Sequence, residues 1–317
     1  MRAMKRVLTI AGSDCSGGAG IQADIKTISA HGVYAMSVIV SVVAENTVHV
    51  LRKQDIAPEI VRAQVDAIYE DIGTDAVKIG MLPTPEVMSA VAEKLRKYCP
   101  KNVVVDPVMY AKDGTALMAP QSIETFKAEI LPLADVLTPN IPEAEEITGM
   151  HIETEDDMCA AAKLIYTMGC KTVLVKGGHF AGDPIDILFD GEQHISFTAK
   201  RIQTKNTHGT GCTLSSAIAS NLALGYAPAE AVKRAKDYMT CAIEHALELG
   251  HGAGPTNHFY SLYQNGLPKQ IACSIEKAPC KAFGLAGCFS CLKNRGGFVY
   301  GAGMSVVFIF FHELSQL

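Results

Sequence analysis

Val7–Gly20 reads VLTIAGSDCSGGAG, and the fold follows from these residues. Val7–Ala11 (VLTIA) is a short, unbroken apolar run that ends at Gly12, Ser13 and Asp14. A strand of a parallel sheet has this texture, because helices cover it from both sides. Gly17 and Gly18 then open a helix expected over Gly20–Ser29. Working outward, Ser37–Ala44 (SVIVSVVA) is rich in β-branched residues and predicts a second buried strand. Further strands are expected near Ala76–Ile79, Val103–Val105, Val136–Thr138 and Thr172–Val175. Between them lie helices near Pro58–Asp71, Thr84–Tyr98, Pro120–Ile130 and Glu155–Met168. In the last, Met158, Ala161, Ala162, Ile165 and Met168 recur at helical spacing. Ile185–Phe189 and Ile195–Phe197, around Gly191, predict a hairpin, and two helices come after it at Thr210–Leu224 and Ala227–Leu249. Alternation of this kind predicts an α/β fold, a large, mostly parallel sheet flanked by helices on both faces.

Composition limits the function. The chain of 317 residues is 48% hydrophobic and 19% charged, which excludes a disordered chain. Its 28 Lys and Arg against 33 Asp and Glu leave a net charge of −5. No basic stripe marks a nucleic-acid partner, and none is expected. The N-terminus reaches Ser13 and Asp14 before a leader's apolar core develops, so a cytoplasmic protein is expected, with its cysteines reduced. From about Gly266 the texture changes. Four of the ten cysteines fall there (Cys273, Cys280, Cys288, Cys291), and the chain closes on the uncharged stretch Gly296–Phe311. That stretch is short against the roughly 20 residues of a membrane span. Residues 1–265 are therefore read as one domain and 266–317 as an extension outside its core, with a late anchor or a docking helix as alternatives.

In open parallel sheets, ligands bind beyond the carboxyl ends of the strands. Polar residues recur at those ends: Gly12–Asp14, Glu45–Thr47, Asp106, Asn140 with Glu143, and Lys176 through His179. Asn206–Thr213 (NTHGTGCT) opens a helix, where Gly209 and Gly211 allow a tight turn and the N–H groups after them can hold an anion. In that first turn the helix dipole is expected to lower the Cys212 thiol pKa. A small cysteine in a glycine-rich cap is the plainer reading. Lys176 could reach phosphate oxygens or end a strand in solvent. Asp106, Asn140 and Glu143 offer hard oxygen ligands suited to Mg²⁺, and Pro139–Asn140 is equally an ordinary helix cap. His208 is expected to pack its loop. There is no Walker-type loop, no dinucleotide fingerprint, no HExxH and no GxSxG. Cys288 and Cys291 form one CxxC without a second pair, which argues against zinc.

Together, LTIAGSDCSGGAGIQADIKT, VAENT, KIGML, VVVDPVM, LTPNIPEAE, VLVKGGH and TKNTHGTGCTLS resemble the hydroxymethylpyrimidine and phosphomethylpyrimidine kinases of thiamine synthesis, in the ribokinase-like superfamily. The likeness runs along Leu8–Ser215 and continues through Gly254–Tyr263, and the residues after Tyr263 match nothing in the family. The resemblance implies a ribokinase-like fold, a homodimer, and ATP and Mg²⁺ as reactants. It implies two transfers of a γ-phosphoryl group, first to the hydroxymethyl group of 4-amino-5-hydroxymethyl-2-methylpyrimidine and then to the monophosphate. By resemblance, Glu45 and the backbone of Val43 read the aminopyrimidine edge, and Gly12, Asp24, Met81 and Val108 line the rest of its pocket. Asp106, Asn140, Glu143 and Lys176 lie toward the nucleotide phosphates, with Asp106 and Glu143 toward Mg²⁺. Gly209, Thr210, Gly211 and Cys212 form the anion hole, with Cys212 in the place of a sugar kinase's base. Relatives carry Gln or Glu at position 45, and a carboxylate there accepts hydrogen bonds only. A pyridoxal or pyridoxine kinase is the second reading and a non-catalytic pyrimidine sensor the third.

Overall fold

The structure is a computed structural model that describes residues 4–111, 113–119, 121–178 and 182–265. The predicted extension over 266–317, together with Pro120 and His179, lies outside the described residues.

The first strand, β1 (Arg6–Asp14), leads into α1 (Gly20–Ala30), and β2 (Tyr34–Glu45) turns into β3 (Val50–Asp55). Next come α2 (Pro58–Asp71), β4 (Ala76–Ile79), α3 (Pro85–Tyr98) and β5 (Val103–Val105). A short α4 (Ser122–Thr125) continues as a π turn over Phe126–Ile130 and a 3₁₀ turn over Leu131–Leu133. After these come β6 (Val136–Leu137), α5 (Ile141–Thr148), α6 (Glu155–Thr167), β7 (Val173–Lys176), β8 (Ile185–Phe189) and β9 (His194–Thr198). Helices α7 (Thr210–Ala223), α8 (Pro228–Glu244) and α9 (Tyr260–Asn265) close the described chain.

Among the described residues, nine strands form one sheet in the order β3-β2-β1-β4-β5-β6-β7-β8-β9. The run from β2 to β7 is parallel, and β3 at one edge and β8 and β9 at the other are antiparallel. Alternate side chains of each central strand enter different cores, as the pleat requires. Leu8, Ile10, Val77, Val103, Val105, Val173 and Val175 face the core under α2, α3, α5 and α6. Val7, Ala76, Val104 and Leu174 face the other core, under α1, α7 and α8. Both faces are therefore sealed, and each buried Val or Leu adds about 1.5–3 kcal/mol.

The predicted elements are found with small changes of boundary. The second long helix ends at Glu244 rather than Leu249, and the predicted helix over Pro120–Ile130 is a single α turn that widens into the π turn. Strand β3 was not predicted. Its sequence, VLRKQD, carries three charged residues and lies largely exposed on an outer edge, so it lacks the apolar run that marks the inner strands.

Candidate active site

The carboxyl ends of β1, β2, β4, β5, β6 and β7 surround a cavity of about 400 Å³. Gly12, Val43, Glu45, Met81 and Val108 line one part of it. Asp106, Asn140, Glu143 and Lys176 line another, and Gly209, Thr210, Gly211 and Cys212 roof it from the start of α7. Thirteen of the fourteen residues that the resemblance marks are thus brought together in one cavity.

Asp24 is the exception. It is wholly buried in α1 and does not line the cavity. Its Oδ2 accepts hydrogen bonds from Thr9 Oγ1 at 2.6 Å and Lys78 Nζ at 2.9 Å, and its Oδ1 accepts one from Ser216 Oγ at 2.8 Å. A carboxylate so occupied serves the interior, and the expected place of Asp24 in the pocket wall is corrected accordingly.

At the opposite end, Lys176 closes β7 and donates to Asp106 Oδ1 at 2.8 Å, and Thr138 Oγ1 donates to the same oxygen at 3.1 Å. Burial opposes the Asp106 carboxylate, but Lys176 and Lys78 outweigh it and hold its pKa below the ordinary value. Lys176 is in turn held above its ordinary value, the charges of Asp106 and Glu143 overcoming its burial. Gly211 stands bare beside this pair, since a Cβ there would lie 3.2 Å from Asp106 Oδ2 and 3.6 Å from Lys176 Nζ. An anionic group can therefore approach the backbone of the first turn closely.

Asn140 and Glu143 form a capping box at the start of α5. Asn140 Oδ1 accepts from the Glu143 N–H at 2.9 Å, and Glu143 Oε2 accepts from the Asn140 N–H at 2.8 Å. The plain cap reading of this motif is therefore present, within the cavity wall. Burial pushes the Glu143 carboxyl up to about 7, with Lys176 pulling the other way.

Glu45, at the end of β2, is also pushed up to about 7, first by burial and then by the charge of Asp14. Asp14 goes down to about 2, although burial opposes this. It accepts from His208 Nε2 at 3.0 Å and from the N–H groups of Ser16, Gly18 and Ala19 at 2.7–2.9 Å. His208 therefore joins the glycine loop before α7 to the loop after β1, a contact across 194 residues of chain. The packing role expected of His208 is found, and Asp14 is its unpredicted partner. Asp14, Glu45 and His208 place one ligand atom each within 4.8 Å of one another, but Asp14 already has both oxygens engaged.

Cys212 requires a correction. Its thiol was expected below the ordinary value, in the field of the helix dipole. Burial instead pushes it up to about 12, with Asp24 and Asp106 adding to burial and Lys78 and the Gly20 N–H opposing it. Its partial exposure to the cavity does not offset the protein packed around it. Removal of water and two nearby carboxylates outweigh one helix end.

The phosphomethylpyrimidine kinase family matches residues 14–257. The chain is 48% identical over 262 residues to a hydroxymethylpyrimidine/phosphomethylpyrimidine kinase of Rhizobium meliloti, covering 81% of this chain and 98% of the relative. It is 46% identical over 264 residues to the Escherichia coli protein of the same name, covering 81% and 99%. It is 50% identical over 253 residues to the thiamine biosynthesis bifunctional protein ThiED of Geobacter sulfurreducens, of which it spans about half, 52%. Among solved structures it is similar to a Bacillus subtilis pyridoxal kinase in complex with ADP. The TM-score is 0.76 at 40% identity, covering 81% of this chain and 98% of the other. A phosphomethylpyrimidine kinase from Clostridium difficile gives a TM-score of 0.68 at 48% identity, covering 74% and 98%.

Proposed function

Because the chain belongs to the phosphomethylpyrimidine kinase family, we propose that this one cavity carries two successive phosphoryl transfers from ATP. The first goes to the hydroxymethyl oxygen of 4-amino-5-hydroxymethyl-2-methylpyrimidine, and the second to the resulting monophosphate, giving the diphosphate for thiamine biosynthesis. The observation that carries this reading is the layout of the cavity along the sheet: Glu45 and Val43 stand at the end of β2, Asp106 and Lys176 at the ends of β5 and β7, and the bare Gly211 at the start of α7 lies against Asp106 and Lys176.

In the first step the hydroxyl oxygen forms a bond to the γ-phosphorus, and the bond from that phosphorus to the bridging oxygen breaks. ADP leaves with the electron pair. Such transfers pass through a loose transition state, in which alignment and charge stabilisation matter more than a strong base. A Cys212 thiol at about 12 fits this, since it is neutral near neutral pH. The hydroxyl proton then passes to an oxygen of the transferred group as the new bond completes. The N–H groups of Gly211 and Cys212 and the dipole of α7 stabilise charge on the equatorial oxygens. Lys176, fixed by Asp106, adds a cation beside them.

Asp106 and Glu143 supply hard oxygen donors of the kind Mg²⁺ takes. The fit rests on the donor set, two buried carboxylates on one cavity wall beside Lys176, of which Glu143 would be held as carboxylate by a neighbouring divalent charge. Bound with the nucleotide, magnesium would supply neutralisation of phosphate charge.

In this reading residues 1–265 are the kinase domain, working in the cytoplasm as a homodimer. The exposed edge strand β3, with Leu51 60% and neighbouring Val48 52% exposed, supports pairing of two copies. Among the described residues no helix is long and apolar enough to cross a membrane.

The structural likeness to pyridoxal kinase favours a second reading, phosphorylation of pyridoxal. The test is incubation of the protein with Mg-ATP and either ring compound, with products read by mass. Pyrimidine mono- and diphosphate are expected. Pyridoxal phosphate alone would replace the first reading by the second.

A further inference from the structure

Lys78 is wholly buried on β4, and its side chain is 0% exposed. It pairs in register with Thr9 of β1, on the face of the sheet that α1 and α7 cover. A lysine is among the residues least often fully buried, and removing its charge from water costs several kcal/mol. Asp24 of α1 offsets part of this with a contact of 2.9 Å, and it is the one hydrogen-bond partner of the ammonium among the described residues.

The position of the ammonium has a direction. Asp24 also accepts from Ser216, which lies four residues after Cys212 on α7. Residues at that spacing share a helix face one turn apart, so the Asp24–Lys78 pair lies beneath the turn that Cys212 starts. Lys78 Nζ also reaches to within 2.7 Å of where a Gly80 Cβ would stand, at the carboxyl end of β4 beside the cavity residue Met81. The charge is therefore turned toward the anion hole, and Cys212 and Asp106 both feel it.

We propose that Lys78 is a positioning residue for phosphoryl transfer, a fixed cation beneath the first turn of α7 that stabilises the charge gathered there in the transition state. This rests on the kinase reading given above. Asp24 holds that cation in place, and Ser216 ties the holder to the helix.

The test compares wild-type protein with the double variant K78M/D24N, which removes both charges and leaves no buried ion unpaired, and with S216A, which loosens the same knot but keeps the cation. Melting temperature controls for folding, and kcat and both KM values are measured with Mg-ATP and hydroxymethylpyrimidine. The expected result is a fall of at least 100-fold in kcat for K78M/D24N, with both KM values within threefold, while S216A stays within threefold in kcat. A folded K78M/D24N with kcat within threefold of wild type would overturn the proposal, as would equal losses in both variants. If the double variant does not fold, K78Q, which keeps a donor toward Asp24, makes the same comparison by the same criteria. No product from the wild-type protein would instead sink the kinase reading itself.

Discussion

Lys176 Nζ and Asp106 Oδ1 lie 2.8 Å apart, joining the ends of β7 and β5 across 70 residues of chain, with side chains 14% and 2% exposed. Neither charge is stable in that place alone. Lys176→Met takes the hydrogen-bonded cation from buried Asp106 and leaves only the charge of Lys78 to offset it, at a cost of about 3 kcal/mol. Loss of a charge that stabilises the transition state lowers turnover by roughly 10²–10³-fold. Denaturant unfolding and kcat of the variant check both; a variant that keeps wild-type turnover would remove Lys176 from the transfer.

Asp24 makes a different prediction, because it sits beneath the cavity. Asp24→Ala strands the Lys78 ammonium and destabilises the fold by about 3–5 kcal/mol. Unfolding in urea measures this. Wild-type stability combined with a raised KM for the pyrimidine would instead return Asp24 to the pocket wall.

The difference between Asp24 and Asp106 marks how far the sequence could be read. Strand ends are legible, because VLTIA and VVV stop at polar residues and parallel strands bring those ends together, which located Asp106 and Lys176. The glycine-rich start of α7 is legible for the same local reason. Whether Asp24 on a helix faces the cavity or the interior depends on Thr9, Lys78 and Ser216, from three other elements, and no spacing reveals that. The Asp14–His208 contact and the direction of the Cys212 pKa are hidden likewise, because both arise from residues distant in the chain. Strand β3 was missed because its sequence is polar and it lies on an edge.

A buried Cys212 thiol at about 12 does not ionise in the range where most enzymes are assayed. The pH profile of kcat is expected to lack any Cys212 limb between about pH 6 and 9, against an ordinary cysteine value of about 8.5. Iodoacetamide should label Cys15 and Cys99, both exposed, well before Cys212, as read by peptide mass. Labelling of Cys212 first, near neutral pH, would restore a resting thiolate.

Gly209 has φ +77°, and a Cβ there would stand 1.8 Å from the Gly18 carbonyl oxygen. Gly209→Ala thus pairs a left-handed backbone penalty of about 1–2 kcal/mol with a clash against backbone. The glycine loop must shift away from the loop after β1, and turnover should fall at least tenfold. Kinetics of a folded variant decide this, and unchanged kcat would show that the loop's exact seat is unimportant.

Glu143 and Glu45 stand near 7 in the folded protein, against an ordinary 4.5. The folded state therefore binds their protons more tightly than the unfolded chain does. Their contribution to stability is fully present below about pH 4.5 and is lost as pH rises through about 7. Asp14, lowered to about 2, acts in the opposite sense, but its contribution is already complete above about pH 4. Between about pH 4.5 and pH 7 the melting temperature of the wild type should decline by about 2 °C or more beyond that of Glu143→Gln, the opposing contribution of His258, lowered by burial to about 4, being common to both. An equal decline in the variant would mean that Glu143 is an ordinary carboxylate.

The claim that one cavity performs both transfers is tested most directly by following ³¹P resonances over time, with Mg-ATP and hydroxymethylpyrimidine, for the wild-type protein and Lys176→Met side by side. The account predicts monophosphate and then diphosphate from the wild type, and loss of both transfers together in the variant when each is assayed from its own substrate. Loss of one transfer with the other intact would contradict it.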